Sequence, residues 1–496
     1  DEITSILEAL GDDNFDLDEF MDNFSIRGFG ATLDTYGDSD GTGPDGGSVL
    51  IHAISPKIYG FIIESVQSTA TGNQTLTDIV NEIFAVLAAN PVIDSYEEEL
   101  GYLEDLFEIS NDITEHLFDD GNEVFDSFGI LLNTLKNNSV VLYTLPDTII
   151  NLLVDTAYTN AAPGSEIAAI LSEIQNILAL EPTINNYATE LNYMKTLYDI
   201  ASDLDETLFN DGNETFTILG ATLNSLKFNS DIFYGADTTI GTVYSVSDVI
   251  INLIINTAYT NATAGSDIET ILAEVKNVLA LKPDIINYAT ELGYMKTLYD
   301  ISDGLDDTLF ETDNPTFTIL GTTLNNLKFN SAVFYGVDTV SEPNITYCVS
   351  DVIINILINS AHSSAASGSD IETILTGIQN VLSEKPDITS YITELNYLKI
   401  MYNLAGSFDE SLFDDNANVT AFGNMLDSIT ASQIMNSSTL PYSTSAIIMN
   451  IVIDKTDGEF SLAIRNLFKA RITTIYPTTN YLTMLQNIKE FKDGFN

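Results

Sequence analysis

The chain has a single cysteine, Cys348, and only three histidines among its 496 residues. One cysteine excludes an internal disulfide framework, and it fits either a cytosolic protein or a surface protein that does without disulfides. The histidines, His52, His116 and His362, lie far apart and form no His-x-x-x-His or Cys/His cluster. A zinc site with the usual ligand spacing is therefore not expected.

Basic residues are also scarce. Lysine and arginine number 17 against 73 acidic residues, which gives a formal net charge of −56. Such a surface repels phosphate backbones, because these need lysine and arginine to release their counterions. We therefore expect no nucleic-acid partner and no attraction to an anionic membrane. Divalent cations, basic proteins or plain solubility fit this charge better.

Long apolar runs are missing as well. Short stretches such as AIIMNIVI at 446–453 are interrupted by asparagine, so no transmembrane helix is predicted. The first residue is Asp1, and no basic and apolar leader follows it, so either a signal was removed or the sequence is an excised piece. Apolar residues still make up 45% of the chain, which is typical of a folded protein.

What the sequence does contain is an internal repeat. The octamer YMKTLYDI stands at 193–200 and again at 294–301. An apolar residue followed by glycine marks five copies, with spacings of 99, 91, 101 and 102 residues between Gly30, Gly129, Gly220, Gly321 and Gly423. A constant period of this length is typical of repeat architectures. We predict repeat units at 1–94, 95–185, 186–286, 287–388 and 389–478, followed by a closing helix at 479–496.

Each copy has a helical period. Ser266 with Glu269, and Ser369 with Glu372, have the spacing of a capping box at the start of a helix. In the octamer helix, core positions are predicted at Tyr288, Leu292, Met295 and Tyr299. We found no alternating run long enough to predict a sheet. The expected fold is all-α, with tandem four-helix repeats of about 100 residues stacked as an elongated helical solenoid or rod.

Two further features of the copies lead to predictions about packing. A glycine inside a helix costs about 1 kcal/mol relative to alanine, so Gly321 predicts close contact between helices. Lysine recurs at two repeat positions in a chain with little base, and we expect these lysines to pair with acids between helices. They are Lys195, Lys296 and Lys399 at one position, and Lys136, Lys227 and Lys328 at the other.

The stretch DTYGDSDGTGPDGGS at 34–48 is the best candidate for a binding site. Carboxylates on a glycine-rich loop are ligands that calcium prefers. The candidate ligands for calcium are Asp34, Asp38, Asp40 and Asp45. Val49 occupies the position at which an EF-hand needs glutamate, so this loop is not an EF-hand. The alternative is a flexible acidic turn without a metal.

Eight sequons for N-glycosylation occur, about as many as chance gives in a chain rich in asparagine, serine and threonine. They matter if the protein is exported. Six of them are candidate glycosylation sites: Asn137, Asn213, Asn261, Asn344, Asn418 and Asn436; the other two are Asn23 and Asn73.

The repeats and the acidic exterior predict a non-enzymatic structural protein. It would be a secreted or cell-surface rod, filament or surface-lattice component that associates with itself or with other surface proteins. An adhesin or binding solenoid is the alternative, with a partner held by the variable loops at about 34–48, 136–147, 228–247, 329–350 and 428–444. An intracellular scaffold comes third, and no cofactor is expected apart from calcium.

Overall fold

A computed structural model describes most of the chain. The described residues are 26–36, 55–69, 74–109, 113–118, 122, 124–201, 204, 206–209, 215–302, 304–310, 314–404, 410–437, 443–457, 460–475 and 480–495.

Within these residues the chain forms twenty α-helices of four kinds, which follow one another in a fixed order. The A helices, which carry the octamer or its relatives, are α4 (Tyr96–Ile109), α8 (Tyr187–Ile200), α12 (Tyr288–Ser302), α16 (Tyr391–Leu404) and α20 (Tyr481–Phe495). The B helices, which carry the marker glycine, are α1 (Ile26–Tyr36), α5 (Val124–Asn138), α9 (Thr215–Asn229), α13 (Pro315–Asn330) and α17 (Asn416–Ile429).

The C helices are α2 (Ser55–Thr69), α6 (Leu145–Asn160), α10 (Val246–Asn261), α14 (Val349–Ser364) and α18 (Thr444–Lys455). The D helices are α3 (Gln74–Leu87), α7 (Glu166–Leu178), α11 (Asp267–Ala280), α15 (Asp370–Leu382) and α19 (Leu462–Ile475). A short 3₁₀ turn lies between A and B helices at Glu115–Phe118, Glu206–Phe209, Asp307–Phe310 and Glu410–Phe413. The predicted all-α fold of tandem helical repeats is confirmed.

The capping boxes form as the sequence predicts. The Ser266 hydroxyl accepts a hydrogen bond from the Glu269 N–H at 3.3 Å, and the Glu269 carboxylate accepts one from the Gly265 N–H at 2.5 Å. Ser369 accepts from the Glu372 N–H at 3.2 Å in the same way. These contacts satisfy backbone donors that a helix start would otherwise leave unpaired.

The chain divides into two compact units, residues 1–204 with 217–253, and residues 205–216 with 254–496. In the first unit, α1 packs on α4, α5 packs on α8, and α6 packs on both α3 and α7. In the second, α13 packs on α16 and α17 on α20, while α14 contacts α11 and α15, and α18 contacts α15 and α19. Both units therefore use the same two contacts, a B helix on the next A helix and a C helix between two D helices.

The predicted seam on the octamer helix is confirmed at three of its four positions. Tyr288, Leu292 and Met295 are buried in the core. Tyr299 is half-buried, and its ring stacks on Phe209 with the centroids 4.8 Å apart. The fourth position therefore contributes to a contact at the edge of the core.

The marker glycines mark close helix contacts, as predicted for Gly321. A Cβ added to Gly321 would lie 3.3 Å from the Cα of Ile392 on α16. The approach is closer at Gly129, where an added Cβ would lie 2.7 Å from the Cα of Ala188 on α8. The B helix can come this near only without a side chain, which explains why the costly glycine stands there.

Two short β-hairpins accompany the helices, although the sequence has no alternating run long enough to predict a sheet. The strand β1 (Tyr234–Asp237) pairs antiparallel with β2 (Thr242–Ser245), and β3 (Tyr335–Asp338) pairs with β4 (Ile345–Cys348). Four residues are too few for an alternating pattern to be recognised. The hairpins lie in two of the predicted variable loops, where Gly235 packs on Ile177 of the D helix α7 and Gly336 on Leu281, which follows α11.

None of the helices in the described ranges is both long enough and apolar enough to cross a bilayer.

Candidate functional site

One of the four candidate calcium ligands, Asp34, makes hydrogen bonds to the start of another helix. The carboxylate of Asp34 accepts hydrogen bonds from the N–H groups of Tyr96 and Glu97, at 2.5 and 3.1 Å, and from the Ser95 hydroxyl at 3.1 Å. Asp34 therefore caps the start of α4. The other candidates, Asp38, Asp40 and Asp45, lie outside the described residues. Within the described part of the chain, no group of three or more His, Cys, Asp or Glu side chains could hold a metal ion.

The candidate glycosylation sites differ in their surroundings. Asn137, Asn261, Asn344 and Asn418 are exposed, and Asn213 lies outside the described residues. Asn436 is half-buried, and its Nδ2 donates to the Ile429 carbonyl at 2.6 Å. A glycan on Asn436 would have to replace this contact.

The cap made by Asp34 recurs at the junctions where a B helix meets the next A helix. Asn133 accepts from the Tyr187 N–H at 2.9 Å, and Asn325 accepts from the Tyr391 N–H at 2.8 Å. Asp427 accepts from the Tyr481 N–H at 2.6 Å. A side chain of the B helix thus adds a second cap to the start of the A helix, whose local N-cap is also formed: Asn186 accepts from the Thr189 N–H and Asn480 from the Thr483 N–H.

A buried glutamate recurs inside the A helices. Glu291 is 5% exposed, and its carboxylate accepts hydrogen bonds from the Ser331 hydroxyl at 2.5 Å and the Ala332 N–H at 3.0 Å. The loop that follows the B helix is held by this carboxylate. The same pair of contacts joins Glu99 to Ser139 and Val140, Glu190 to Ser230 and Asp231, and Glu394 to Ser432 and Gln433.

Burial changes the titration of three of the glutamates. It raises the pKa of Glu99, Glu190 and Glu291, because desolvation disfavours the charged carboxylate more than the serine and backbone donors favour it. In α20 the corresponding position, three residues after the first tyrosine, is Met484.

The recurring lysines have two kinds of partner. Lys296 donates to the Phe209 carbonyl at 3.2 Å and pairs with Asp300 on its own helix at 3.0 Å, and Lys195 does the same with Phe118 and Asp199. The acid seen beside each of these two lysines therefore lies on the same helix as the lysine. The reason is that an acid four residues further on shares the lysine's face of the helix.

At the second lysine position the predicted pairing between helices is confirmed for Lys136, whereas Lys328 pairs with an acid in a loop. Lys136 of α5 pairs with Asp147 of α6 at 2.8 Å, and Lys328 of α13 pairs with Asp387 at 2.8 Å. Lys328 also donates to the Ile388 carbonyl at 2.8 Å. Its side chain is only 6% exposed, so these contacts hold an almost desolvated ammonium group.

A cavity of about 760 Å³ lies beside Lys328 in the second unit. The hairpin β3–β4, helix α14 and the segment 382–388 form its walls. Its charged lining side chains are Glu274, Lys328, Asp351, Lys385 and Asp387, and Cys348 also reaches it.

Several groups in and beside the cavity wall are joined by hydrogen bonds. The Tyr391 hydroxyl donates to Asp351 at 2.6 Å and lies 3.4 Å from the Cys348 sulfur. The Cys348 N–H donates to Glu274 at 2.9 Å. Burial, together with the neighbouring charge of Asp351, raises the pKa of the Cys348 thiol to about 11, so the sulfur is protonated at neutral pH.

Most of this network has a counterpart elsewhere in the chain. In the first unit, the Tyr187 hydroxyl donates to Asp147 at 2.6 Å, and Asp147 is also the partner of Lys136. The Ser245 N–H donates to Glu173 at 2.8 Å, as the Cys348 N–H does to Glu274. Because the same contacts occur in two copies, we interpret them as structural contacts of the repeat. The cysteine itself is not repeated, because serine stands at 245.

Sequence reasoning missed the buried glutamates and the tyrosine–aspartate pair. A signal for the glutamate was present, since the A helices carry it at Glu99, Glu190, Glu291 and Glu394 while a serine recurs about 40 residues later. Its partner could not be identified without the packing of the A helix on the loop.

Comparison with known proteins gives no relative: no family model, no curated protein and no solved structure matches this chain.

Proposed function

We propose that this protein is a non-enzymatic structural repeat protein, a secreted or cell-surface component of a rod, filament or surface lattice. The observation that carries the proposal is the use of the same polar side chains as joints in successive copies. Among the described residues, the glutamate–serine contact is seen in four copies, and the cap that a B helix provides for the next A helix is seen at four junctions.

Contacts of this kind hold successive helices and loops together, as a rod or filament requires. Each one links a helix to a loop or to the next helix through hydrogen bonds, most of them part-buried, and a buried donor left without its partner is costly. The one buried thiol is protonated at neutral pH and bonded within the network, which supports a structural role for it and not a nucleophilic one.

An extracellular setting agrees with the charge and with the exposure of several sequons, although their number is about what chance gives. The net charge of −56 keeps such a protein soluble, and the sequon asparagines Asn137, Asn344 and Asn418 are exposed. We infer that the protein associates with itself or with other surface proteins, and that calcium acts through the loop with Asp38, Asp40 and Asp45.

The test is electron microscopy and light scattering of the pure protein over a wide concentration range, with and without millimolar calcium. Ordered assemblies are expected. Protein that stays monomeric under every condition contradicts the proposal. Mass spectrometry of the protein from its native source then checks whether the exposed sequons carry glycans.

The contribution of calcium is measured separately by thermal melting in fixed salt. The parent should gain stability from calcium, because a ligand that binds the folded state stabilises it by RT ln(1 + [L]/Kd). The double variant Asp38→Asn/Asp40→Asn should lose this gain. Equal shifts in both proteins exclude this loop as the site.

A binding solenoid or adhesin remains the second candidate, and the hairpins favour it. Val340, between β3 and β4, is 90% exposed, and Ile240, between β1 and β2, is 67% exposed. Exposed apolar side chains at loop tips are available for a partner. Exchanging residues 329–350 for 228–247 should abolish binding of such a partner while the helical signal in circular dichroism stays the same.

A further inference from the structure

The cavity of about 760 Å³ beside Lys328 has the size of a site for a small ligand. Pockets that hold such ligands measure about 300–1,000 Å³ and combine apolar walls with a few polar groups. Here Ile345, Val352 and Leu382 supply apolar surface, and Tyr335 adds an aromatic ring. All the lining residues belong to the second compact unit, so one unit forms the whole cavity.

One wall of the cavity differs from the corresponding part of the preceding copy. Strand β1 is joined to β2 by four residues, 238–241, whereas β3 is joined to β4 by six, 339–344. Pro343 and Asn344, at the end of the longer connection, both line the cavity. The structural contacts that recur between copies do not need this longer connection. Its place in the wall is therefore a feature of the cavity and not of the repeat, and binding residues are often found on such loops.

Two carboxylates in the wall have no counter-charge. The Lys328 ammonium group is already bonded to Asp387 and to a backbone carbonyl, both at 2.8 Å. Asp351 accepts from a tyrosine hydroxyl at 2.6 Å and Glu274 from a backbone N–H at 2.9 Å, and neither forms an ion pair within the described residues. Burial raises the pKa of Asp351, because desolvation disfavours its charged form. A positive group beside these carboxylates would offset that cost.

A positive side chain without a partner lies at the edge of the same cavity. Lys385, in the turn between α15 and α16, lines the cavity and is exposed. It forms no ion pair and no side-chain hydrogen bond with the described part of the chain. Its backbone is held in place, because its N–H donates to the Leu382 carbonyl at 2.9 Å and its φ is 52°. The turn therefore fixes the position from which the ammonium group reaches the cavity.

We propose that this cavity binds a short peptide with free ends, whose ammonium group pairs with Asp351 and Glu274 and whose carboxylate pairs with Lys385. Unpaired groups of both signs in one cavity are complementary to a zwitterion. A simple anion would face the two carboxylates, and a simple amine would leave the lysine without a partner. Apolar side chains of the peptide would cover Ile345 and Val352. Such binding goes beyond the proposed structural role.

The experiment is isothermal titration calorimetry of the full chain with trileucine, a tripeptide with free ends and apolar side chains. N-acetyl-trileucine lacks the ammonium group, and trileucine amide lacks the carboxylate. Acetylation should weaken binding about tenfold or more, because hydrogen bonds between charged groups in a partly buried site are strong. Amidation should weaken it by up to about fivefold, because Lys385 is exposed and solvent screens its charge.

Two substitutions test where the peptide binds. Asp351→Asn should weaken trileucine binding about tenfold and remove most of the effect of acetylation, since both changes delete the same contact. Lys385→Gln should remove most of the effect of amidation. The asparagine oxygen can still accept from the tyrosine hydroxyl, so the fold should persist, which circular dichroism checks. Lys276→Gln and Asp300→Asn are the matched controls, because they remove the same charges from the same unit outside the cavity, and both should bind like the parent.

A parent protein that does not bind trileucine at millimolar concentration overturns the inference. Binding that neither Asp351→Asn nor Lys385→Gln weakens also overturns it, because the peptide then lies elsewhere. An effect of acetylation that is unchanged in Asp351→Asn contradicts the assigned partner of the ammonium group. These results are independent of assembly: a chain that assembles but binds no peptide overturns this inference alone, and a monomer that binds the peptide overturns only the proposed function.

Discussion

Replacing Glu291 by alanine should destabilise the second unit strongly. The substitution leaves the Ser331 hydroxyl and the Ala332 N–H without the acceptor that now lies 2.5 and 3.0 Å away. A buried donor without a partner costs about 1–3 kcal/mol, so two donors cost roughly 2–6 kcal/mol. We expect the lower half of this range, because removing the carboxylate also removes the cost of burying it.

Two further substitutions make the measurement specific. Glu291→Gln keeps a carbonyl that can accept from Ala332 and an amide that can donate to the Ser331 oxygen, so we expect it to cost less than about 1 kcal/mol. Thr290→Ala removes an exposed side chain from the same turn and should change stability by less than about 0.5 kcal/mol.

The assay is urea unfolding together with hydrogen exchange read by mass spectrometry, since long repeat arrays need not unfold in one step. Peptides covering 288–302 and 330–334 should lose protection in Glu291→Ala and keep it in both other variants. Equal protection in Glu291→Ala and Thr290→Ala would refute the argument that this carboxylate holds the loop.

Three other predictions concern the core, the helix contacts and pH. Leu292→Ala should cost about 2–5 kcal/mol in unfolding free energy, because the side chain is buried; a loss under half a kcal/mol would mean that the seam does not pack. Gly129→Ala should destabilise by about 1–3 kcal/mol through the clash with Ala188, whereas Gly293→Ala, with nothing within 4 Å of its added Cβ, should stabilise by up to about 1 kcal/mol. A gain in stability at Gly129 would contradict the close contact. Glu99, Glu190 and Glu291 have raised pKa values in the folded state, so their contribution to stability is fully present below their unfolded pKa and is lost as the pH rises through the folded pKa. Thermal melting in constant salt should therefore show lower stability as the pH rises above about 4.5, with a smaller change in Glu291→Gln, and a melting temperature that rises over this range would contradict the assignment.

The helical repeat could be predicted from the sequence because its causes are local or periodic. The capping boxes at Ser266 and Ser369 need partners only three residues away. The buried positions Tyr288, Leu292 and Met295 follow from the period of a helix. The repeat length follows from the spacing of the marker glycines. Because the copies resemble one another, equivalent positions could be compared within this one sequence.

Tertiary structure decided the features whose partners lie far along the chain. Asp34 has the chemistry of a calcium ligand, and only the packing of α1 on α4 turns it into a cap for a helix 60 or so residues away. Lys328 and Lys296 are both lysines at repeat positions, yet the acid that each contacts depends on which elements surround it.

The hairpins and the buried glutamates are also features that depend on tertiary structure. A strand of four residues is too short for an alternation of apolar and polar residues to identify it. Each hairpin forms where a glycine allows the strand to lie close to a D helix. A glutamate in a helix is ordinarily a solvated residue. Glu291 is buried because the loop after the B helix brings a serine and a backbone N–H to it, and these donors offset the cost of taking the carboxylate out of water.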